Sequence, residues 1–94
     1  MYILQIEHEV FNHEGWKKAF ENDPINRKKA GVKHYNIFQR ADNPNFVVID
    51  LEFENLDEAE STLVSLRGLW KNIAGKIMIN PQIRILQLTE SIDV

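Results

Sequence analysis

The side chains best suited to proton transfer in this chain are its three histidines. His8 ends a run of alternating residues and lies on the same side of that run as Leu4 and Ile6. A neutral imidazole on an apolar face is suited to act as a general base toward an acidic phenol or enol. The alternative interpretation is a strand-end histidine that hydrogen-bonds to water or to the backbone. His8 is the candidate catalytic base, and both interpretations stay open here.

Aromatic side chains supply most of the candidate binding residues. Trp16 and Trp70 stand at helical spacing, where they could form the walls of a site for an aromatic ligand, although large aromatics at such positions commonly pack in the core. The hydroxyl of Tyr35 could donate a hydrogen bond to a bound carbonyl, so Tyr35 joins His8 as a candidate catalytic residue. The remaining ligand-binding candidates are apolar or cationic side chains: Phe20, Phe53, Leu66 and Arg67.

The residue types give little support to metal or cofactor chemistry. The absence of cysteine excludes disulfides, iron–sulfur clusters and cysteine nucleophiles. The histidines are predicted on different surfaces, with His8 and His34 on opposite faces of a sheet and His13 on a helix. His34 with two carboxylates is a plausible ligand set, but no spacing requires it. No glycine-rich phosphate loop occurs. We predict neither a metal site nor a cofactor.

Length and charge limit the class of protein. A chain of 94 residues is expected to form one domain, residues 1–94, with a loose tail at 91–94. The net charge of −3 comes without a basic stripe for nucleic acid or a polybasic cluster for an anionic membrane. The chain begins with a strand-like run instead of a signal peptide and has no apolar segment of membrane-spanning length. We expect a cytoplasmic protein that binds neither nucleic acid nor membranes.

Periodicity and turn residues predict the elements that position these side chains. Period-two alternation indicates strands at residues 2–8, 32–40, 46–54 and 83–88. Asn12 is the predicted cap of a first helix that breaks at Asp23-Pro24 and ends at Gly31, and Asn55 or Asp57 caps a second helix that stops at Gly75. Turns are expected at 41–45 and at Asn80-Pro81. The resulting β-α-β-β-α-β order predicts an α+β, ferredoxin-like fold, a four-stranded antiparallel sheet with both helices on one face.

The sheet face without helices is too apolar to remain in water. We therefore predict that it packs on the same face of a second copy, as an isologous homodimer contact. Charged groups interleaved on this face could pair across the two-fold axis. The predicted interface residues are Glu7, His34, Phe38, Phe46, Val48, Asp50, Glu52, Arg84 and Leu86.

The whole chain resembles the dimeric α/β-barrel superfamily, whose members pair two such sheets. The resemblance is carried by the Trp16 helix, the Asp23-Pro24 break, Gly31-Val32, the Asn43-Pro44 hairpin, the acidic third strand Asp50-Leu51-Glu52-Phe53 and Asn80-Pro81. It is strongest toward small proteins near the antibiotic-biosynthesis-monooxygenase-like and cyclase-like branches. The haem-degrading branch uses a histidine late in the chain, and here no histidine follows His34.

The resemblance implies two classes of function. One is a cofactor-independent monooxygenase- or cyclase-like enzyme that acts on a small aromatic or enolisable substrate, with His8 as base. The other is a non-catalytic dimer that binds a small apolar or aromatic ligand or serves a structural role. The fold alone does not choose between them.

Overall fold

The computed structural model describes residues 1–73 and 78–94. Its elements, in chain order, are β1 (Tyr2–Glu9), α1 (His13–Glu21), α2 (Arg27–Ala30), β2 (His34–Arg40), β3 (Asn43–Phe53), α3 (Leu56–Ile73) and β4 (Ile79–Gln87). Gly75, the predicted end of the second long helix, lies outside the described residues. No helix in the described ranges combines the length and the apolar character needed to cross a membrane.

The four strands form one antiparallel sheet in the order β2-β3-β1-β4. The two central strands are therefore β3 and β1, which are joined in a register that pairs Leu4 with Leu51 and His8 with Val47. This order and the β-α-β-β-α-β succession confirm the predicted α+β, ferredoxin-like fold. The edge strands are β2 and β4, so residues on them are the most accessible from the side.

The core lies between the helices and one face of the sheet. Alternate residues of β1 and β3 supply that face, and Trp16 of α1 with Ala59 and Leu66 of α3 pack against it. Because side chains alternate across a strand, this burial leaves the other face of the same strands uncovered. The helix-facing side chains are buried at Leu4, Ile6, Val47, Ile49, Leu51 and Phe53 and partly buried at Ile37, Ile83 and Ile85.

Side-chain caps delimit the short helices. The carboxamide oxygen of Asn12 accepts a hydrogen bond from Gly15 N at 3.1 Å, as expected for the cap of α1. The helix ends near Asp23-Pro24 as predicted, and the chain becomes helical again at Arg27. Oδ1 of Asp23 accepts a hydrogen bond from Arg27 N at 2.8 Å, and Oδ1 of Asn26 accepts one from Lys29 N at 3.3 Å. Both Asp23 and Asn26 have positive φ, so an irregular loop separates α1 from α2. Gly31 ends α2 in the left-handed conformation, with φ 103°.

One predicted turn is shorter than expected, and the other is wrong. The β2–β3 hairpin turns at Ala41-Asp42 alone, so Asn43 and Pro44 already belong to β3. Asn80-Pro81 is not a turn between elements but lies within β4, which begins four residues earlier than expected. The pairing of β1 with β4 shifts register between Glu7 and Glu9, so two residues of β4 lie opposite His8. A β-bulge on an edge strand tolerates a proline, which explains how this dipeptide fits in the strand.

Candidate functional site

An apolar cavity of about 110 Å³ lies between the helices and the helix-facing side of the sheet. This volume is somewhat smaller than the ~150 Å³ of a closed apolar cavity that binds benzene, but the cavity is open to the surface on one side, so a ring need not fit inside it completely. Of its described lining residues, only His8 and Arg27 carry ionisable groups. The lining residues are Ile6, His8, Trp16, Ala19, Phe20, Pro24, Ile25, Arg27, Ile49, Leu51, Leu66, Leu69, Trp70 and Met78.

His8 is fixed as a neutral imidazole in the wall of this cavity. Its side chain is 2% exposed, and burial lowers its pKa from the ordinary 6.5, partly opposed by a backbone hydrogen bond to Glu9. Nδ1 lies 3.1 Å from the carbonyl oxygen of Glu9. A carbonyl only accepts, so Nδ1 carries the proton in this contact and Nε2 keeps its lone pair. The arrangement gives the cavity a proton acceptor.

A β-bulge of β4 lies opposite His8. His8 pairs with Val47 of β3 but has no register partner on β4, where Asn80 and Pro81 lie opposite it. Asn80 adopts a φ of 51°, which asparagine tolerates better than most residues. Bulges bend a strand and re-aim side chains, and they are common beside active sites. Here the irregularity coincides with the residue that has the most useful chemistry.

A row of aromatic rings runs from His8 to the edge of the sheet. The His8 and Trp16 rings meet edge to face at 5.9 Å, Trp16 and Phe20 lie 5.5 Å apart, and Phe20 meets Tyr35 at 5.2 Å. Such tilted and edge contacts fix the orientation of rings as well as burying area. The row forms one side of the cavity as far as Phe20, and its last ring, Tyr35, lies beyond the lining.

The structure brings five of the eight predicted site residues together. His8, Trp16, Phe20, Leu66 and Trp70 all line the cavity. The remaining three lie elsewhere.

Phe53 is completely buried in the core, Arg67 is exposed on α3, and Tyr35 is 41% exposed at the sheet edge. Tyr35 is on the helix-facing side, as expected, but Phe20 separates its ring from the cavity, and it lines a neighbouring surface cleft.

Arg27 is the ionisable residue of the described lining that the sequence did not predict, because a short Arg27-Lys28-Lys29 run is typical of a solvated turn. Its side chain is only 16% exposed. The guanidinium lies 4.1 Å from the Phe20 ring centroid and 5.1 Å from that of Tyr35. Nη1 donates to the Phe20 carbonyl oxygen at 2.8 Å and lies 3.5 Å from Oδ1 of Asp23. The only signal in the sequence was that Arg27 lies between the helix that carries Phe20 and the strand that carries Tyr35.

The other histidines lie apart from His8. His13 begins α1 and is half-buried, with its ring 5.6 Å from that of Trp16 and with Nε2 covered. His34 is exposed and pairs in register with Glu52 on the uncovered face. In the described part of the chain, no cluster of three or more histidine or carboxylate side chains could hold a metal ion.

The uncovered face, defined by the outward residues of the four strands, has polar and apolar side chains in separate places. Its central row is a hydrogen-bonded chain: Arg84 donates to Gln5 at 2.6 Å and to Glu7 at 2.7 Å, and Gln5 donates to Asp50 at 3.0 Å. These predicted interface charges are thus paired within one copy of the chain.

Apolar residues occupy two diagonally opposite corners of the uncovered face. Phe38 of β2 pairs with Val48 of β3 at one corner, and Ile3 of β1 pairs with Leu86 of β4 at the other. Phe46 continues the first corner, where its ring lies 5.3 Å from the Arg40 guanidinium carbon. Phe38 is 49% exposed and Leu86 is 39% exposed, so both corners present apolar surface to solvent.

No protein-family model and no curated protein matches the chain. Several solved structures match the chain in fold. A protein of Nitrosomonas europaea, provisionally assigned as an antibiotic biosynthesis monooxygenase, superposes with a TM-score of 0.68 at 18% identity, over 90% of this chain and 86% of its own. One of Deinococcus radiodurans with the same provisional assignment gives 0.64 at 14% identity, over 100% and 98%.

The same fold also appears in a protein of another description. An uncharacterised NIPSNAP domain protein of Burkholderia xenovorans superposes with a TM-score of 0.64 at 8% identity, over 100% of both chains. At such identities the likeness establishes the fold alone. The chain has the ferredoxin-like fold of the antibiotic-biosynthesis-monooxygenase-like proteins, which confirms the resemblance inferred from the sequence.

Proposed function

We propose that this protein binds a small aromatic or enolisable molecule in the apolar cavity and that Nε2 of His8 removes a proton from it. The observation that carries the proposal is a buried, neutral imidazole in the cavity wall, with its Nδ1 proton directed to the Glu9 carbonyl. A base whose pKa is lowered by burial stays unprotonated at neutral pH, so it is ready to accept a proton.

Proton removal is the first step common to the two reaction classes that the resemblance suggests. Cofactor-independent oxygenation and cyclisation both start from an enolate or phenolate, whose electron-rich carbon then reacts. The neighbouring rings of Trp16 and Phe20 would hold a flat substrate next to His8, and the apolar lining would exclude water from the carbanion. A monooxygenase- or cyclase-like enzyme is therefore the favoured function.

Non-catalytic binding is the second candidate, and the small number of ionisable groups in the cavity lining supports it. Besides His8, the only other ionisable side chain of the described lining is Arg27, which already contacts Asp23 and the Phe20 carbonyl. A binding protein needs no further polar groups, whereas an enzyme commonly has several. The two candidates differ in one measurable property, proton transfer to and from the bound molecule.

Deuterium incorporation into cyclohexanone tests the catalytic proposal. The probe is close to benzene in size and exchanges its α-protons through the enol. In D₂O we expect the wild-type protein to accelerate the exchange at least ~10²-fold over the His8→Gln variant, the usual contribution of a general base. Lys29→Gln, an exposed position outside the cavity lining, is the control and should behave as wild type. Equal exchange with wild type and His8→Gln, at equal cyclohexanone affinity, would leave non-catalytic binding as the function.

We also propose that the functional unit is a homodimer built on the uncovered face. A two-fold axis along the diagonal from the His34 corner to the Gln82 corner would bring the Phe38 corner of one copy onto the Leu86 corner of the other. The two sheets would then cross at nearly a right angle, one of the two preferred ways in which sheets pack. The apolar corners and their diagonal placement support this arrangement, because neither corner has a partner among the described residues of one chain.

A further inference from the structure

A second concavity adjoins the apolar cavity and differs from it in charge. It is a surface cleft of about 420 Å³ near α2 and the start of β2, and we call it the basic cleft. Three of its lining residues are cations, Arg27, Lys28 and Lys33, against a single carboxylate, Asp23. The chain as a whole carries a net charge of −3, so this local excess of positive charge runs against the overall balance.

Arg27 belongs to the lining of both spaces. Its guanidinium carbon lies within 4.1 Å of the Phe20 ring centroid and 5.1 Å of the Tyr35 ring centroid, at the cleft end of the aromatic row. Nη1 is engaged by the Phe20 carbonyl and Asp23, but no described residue accepts a hydrogen bond from Nη2 or Nε. A guanidinium has five N–H donors arranged to meet a carboxylate, so Arg27 keeps donors for a ligand.

The lysines of the basic cleft have no competing partners in the described chain. Neither Lys28 nor Lys33 forms an ion pair with a described carboxylate, whereas Lys17 is paired with Glu21. Two unpaired ammonium groups beside an oriented guanidinium attract an anion, and Asp23 offsets only one of the three charges.

Resting on the proposed ligand-binding role of the cavity, we propose that the natural ligand is a small aromatic carboxylate whose ring lies in the cavity beside His8 and whose carboxylate pairs with Arg27 at the basic cleft. Arg27 lines both spaces, so a ligand in the cavity can present its carboxylate to this guanidinium. Lys28 and Lys33 strengthen the attraction for the carboxylate. Arg27 is thus a specificity-determining residue: it selects charged aromatic ligands over neutral ones of the same shape.

Three probes separate the contributions of ring and charge. Benzoate has both, benzamide keeps the ring without the charge, and acetate keeps the charge without the ring. Titration calorimetry at neutral pH should show benzoate binding at least about tenfold more tightly than either of the others, as expected for one charge-assisted hydrogen-bonded pair. Trp16 and Trp70 line the cavity, so their fluorescence should respond to benzoate and benzamide but not to acetate.

Variants assign the preference to the cleft. Arg27→Gln should weaken benzoate binding about tenfold and leave benzamide within about twofold. Since Arg27 also holds the Phe20 carbonyl, the double variant Lys28→Gln/Lys33→Gln provides a second test that leaves those contacts intact, and it should weaken benzoate several-fold. Lys29→Gln, exposed on the same short helix but outside the cleft lining, is the control and should bind benzoate as wild type does.

The outcomes distinguish this inference from the proposed function. If neither benzoate nor benzamide binds, both proposals fail. If both bind equally and the cleft variants change nothing, the cavity binds ligands but the charge selection is wrong. If acetate binds as tightly as benzoate, the cleft is an anion site independent of the cavity, which also overturns the inference.

Discussion

His8 owes its chemical state to three features that one short segment supplies together. Strand alternation turns the ring toward the helices, the Glu9 carbonyl accepts the Nδ1 proton, and burial disfavours the imidazolium. None of these requires a carboxylate partner, so the imidazole is kept neutral by exclusion from water. A neutral base is the form that proton abstraction needs.

The lowered pKa of His8 makes the stability of the fold depend on pH. Below its ordinary value of 6.5, the unfolded chain takes up a proton at His8 that the folded chain resists. The contribution of this histidine is therefore complete above pH 6.5 and is lost as the pH falls toward its lower folded-state pKa, by at most about 1.4 kcal/mol per pH unit. His8→Gln removes this dependence.

Urea unfolding of both proteins across this range measures the effect. The difference in the free energy of unfolding, wild type minus His8→Gln, should be constant above pH 6.5 and should decrease below it. A difference that stays flat throughout, or that increases on acidification, would mean that the imidazole is not kept neutral in the folded protein.

The sequence predicted that His8, Trp16 and Trp70 belong to one site, and all three line the cavity. It did not predict Arg27 there. The positions of the histidine and the tryptophans could be predicted because strand and helix periodicity determines the direction in which each side chain faces. Arg27 follows an irregular loop with two positive-φ residues, Asp23 and Asn26, and no periodicity reports its direction. Its placement depends on tertiary contacts with Phe20 and Tyr35, which lie in two other elements.

At the scale of elements, two irregular segments, the loop between α1 and α2 and the bulge of β4, determine where the lining residues of the cavity lie. The break between α1 and α2 sets Arg27 against the aromatic row, and the bulge of β4 lies opposite His8. The residue types alone predicted a break at Asp23-Pro24, which the structure has, and a turn at Asn80-Pro81, where the structure has a bulge within β4. They did not distinguish a turn from a bulge, because both use the same residues and differ only in long-range strand pairing.

The same substitution at two glycines should have opposite effects on stability. Gly31 ends α2 at φ 103°, and an added Cβ would meet the carboxylate of Glu58 on α3. Gly31→Ala should therefore destabilise the protein by roughly 1–2 kcal/mol, mainly through the left-handed backbone. Gly68 lies within α3 with open space around it, so Gly68→Ala should stabilise the protein by about 0.5–1 kcal/mol.

Thermal or denaturant unfolding of the two alanine variants against wild type gives both values in one series. Each variant is the control for the other, because the change in side chain is identical. If Gly31→Ala were neutral, α2 would not need a left-handed end at this position, and the placement of Arg27 by that helix would lose its support.

At the scale of the whole molecule, the two faces of one sheet differ in what covers them. The helix-facing side lines the cavity, and we propose that the uncovered side joins two copies of the chain. The strand register makes this possible, because a one-residue step changes every side chain from one face to the other. Alternation along the strands was sufficient to predict that the uncovered face contains apolar residues. The separation of its two apolar corners by a polar row became evident only from the observed strand pairing.

Two leucines of nearly equal exposure, Leu86 and Leu56, test whether the uncovered face forms the dimer interface. Leu86 is 39% exposed on the uncovered face, and Leu56 is 38% exposed at the start of α3, so the same change to glutamate differs only in location. Leu86→Glu places a charge where the Phe38 corner of the other copy would pack. The charge would have to be desolvated in that interface, which costs several kcal/mol, whereas Leu56→Glu stays in water.

Sedimentation velocity at micromolar concentration tests the division of the sheet most directly. The account predicts that wild type and Leu56→Glu sediment at twice the 11.0 kDa mass of one chain, whereas Leu86→Glu sediments as a folded monomer. A wild-type protein that is fully folded and sediments as a single chain would contradict it, because the uncovered face would then remain in water without a partner.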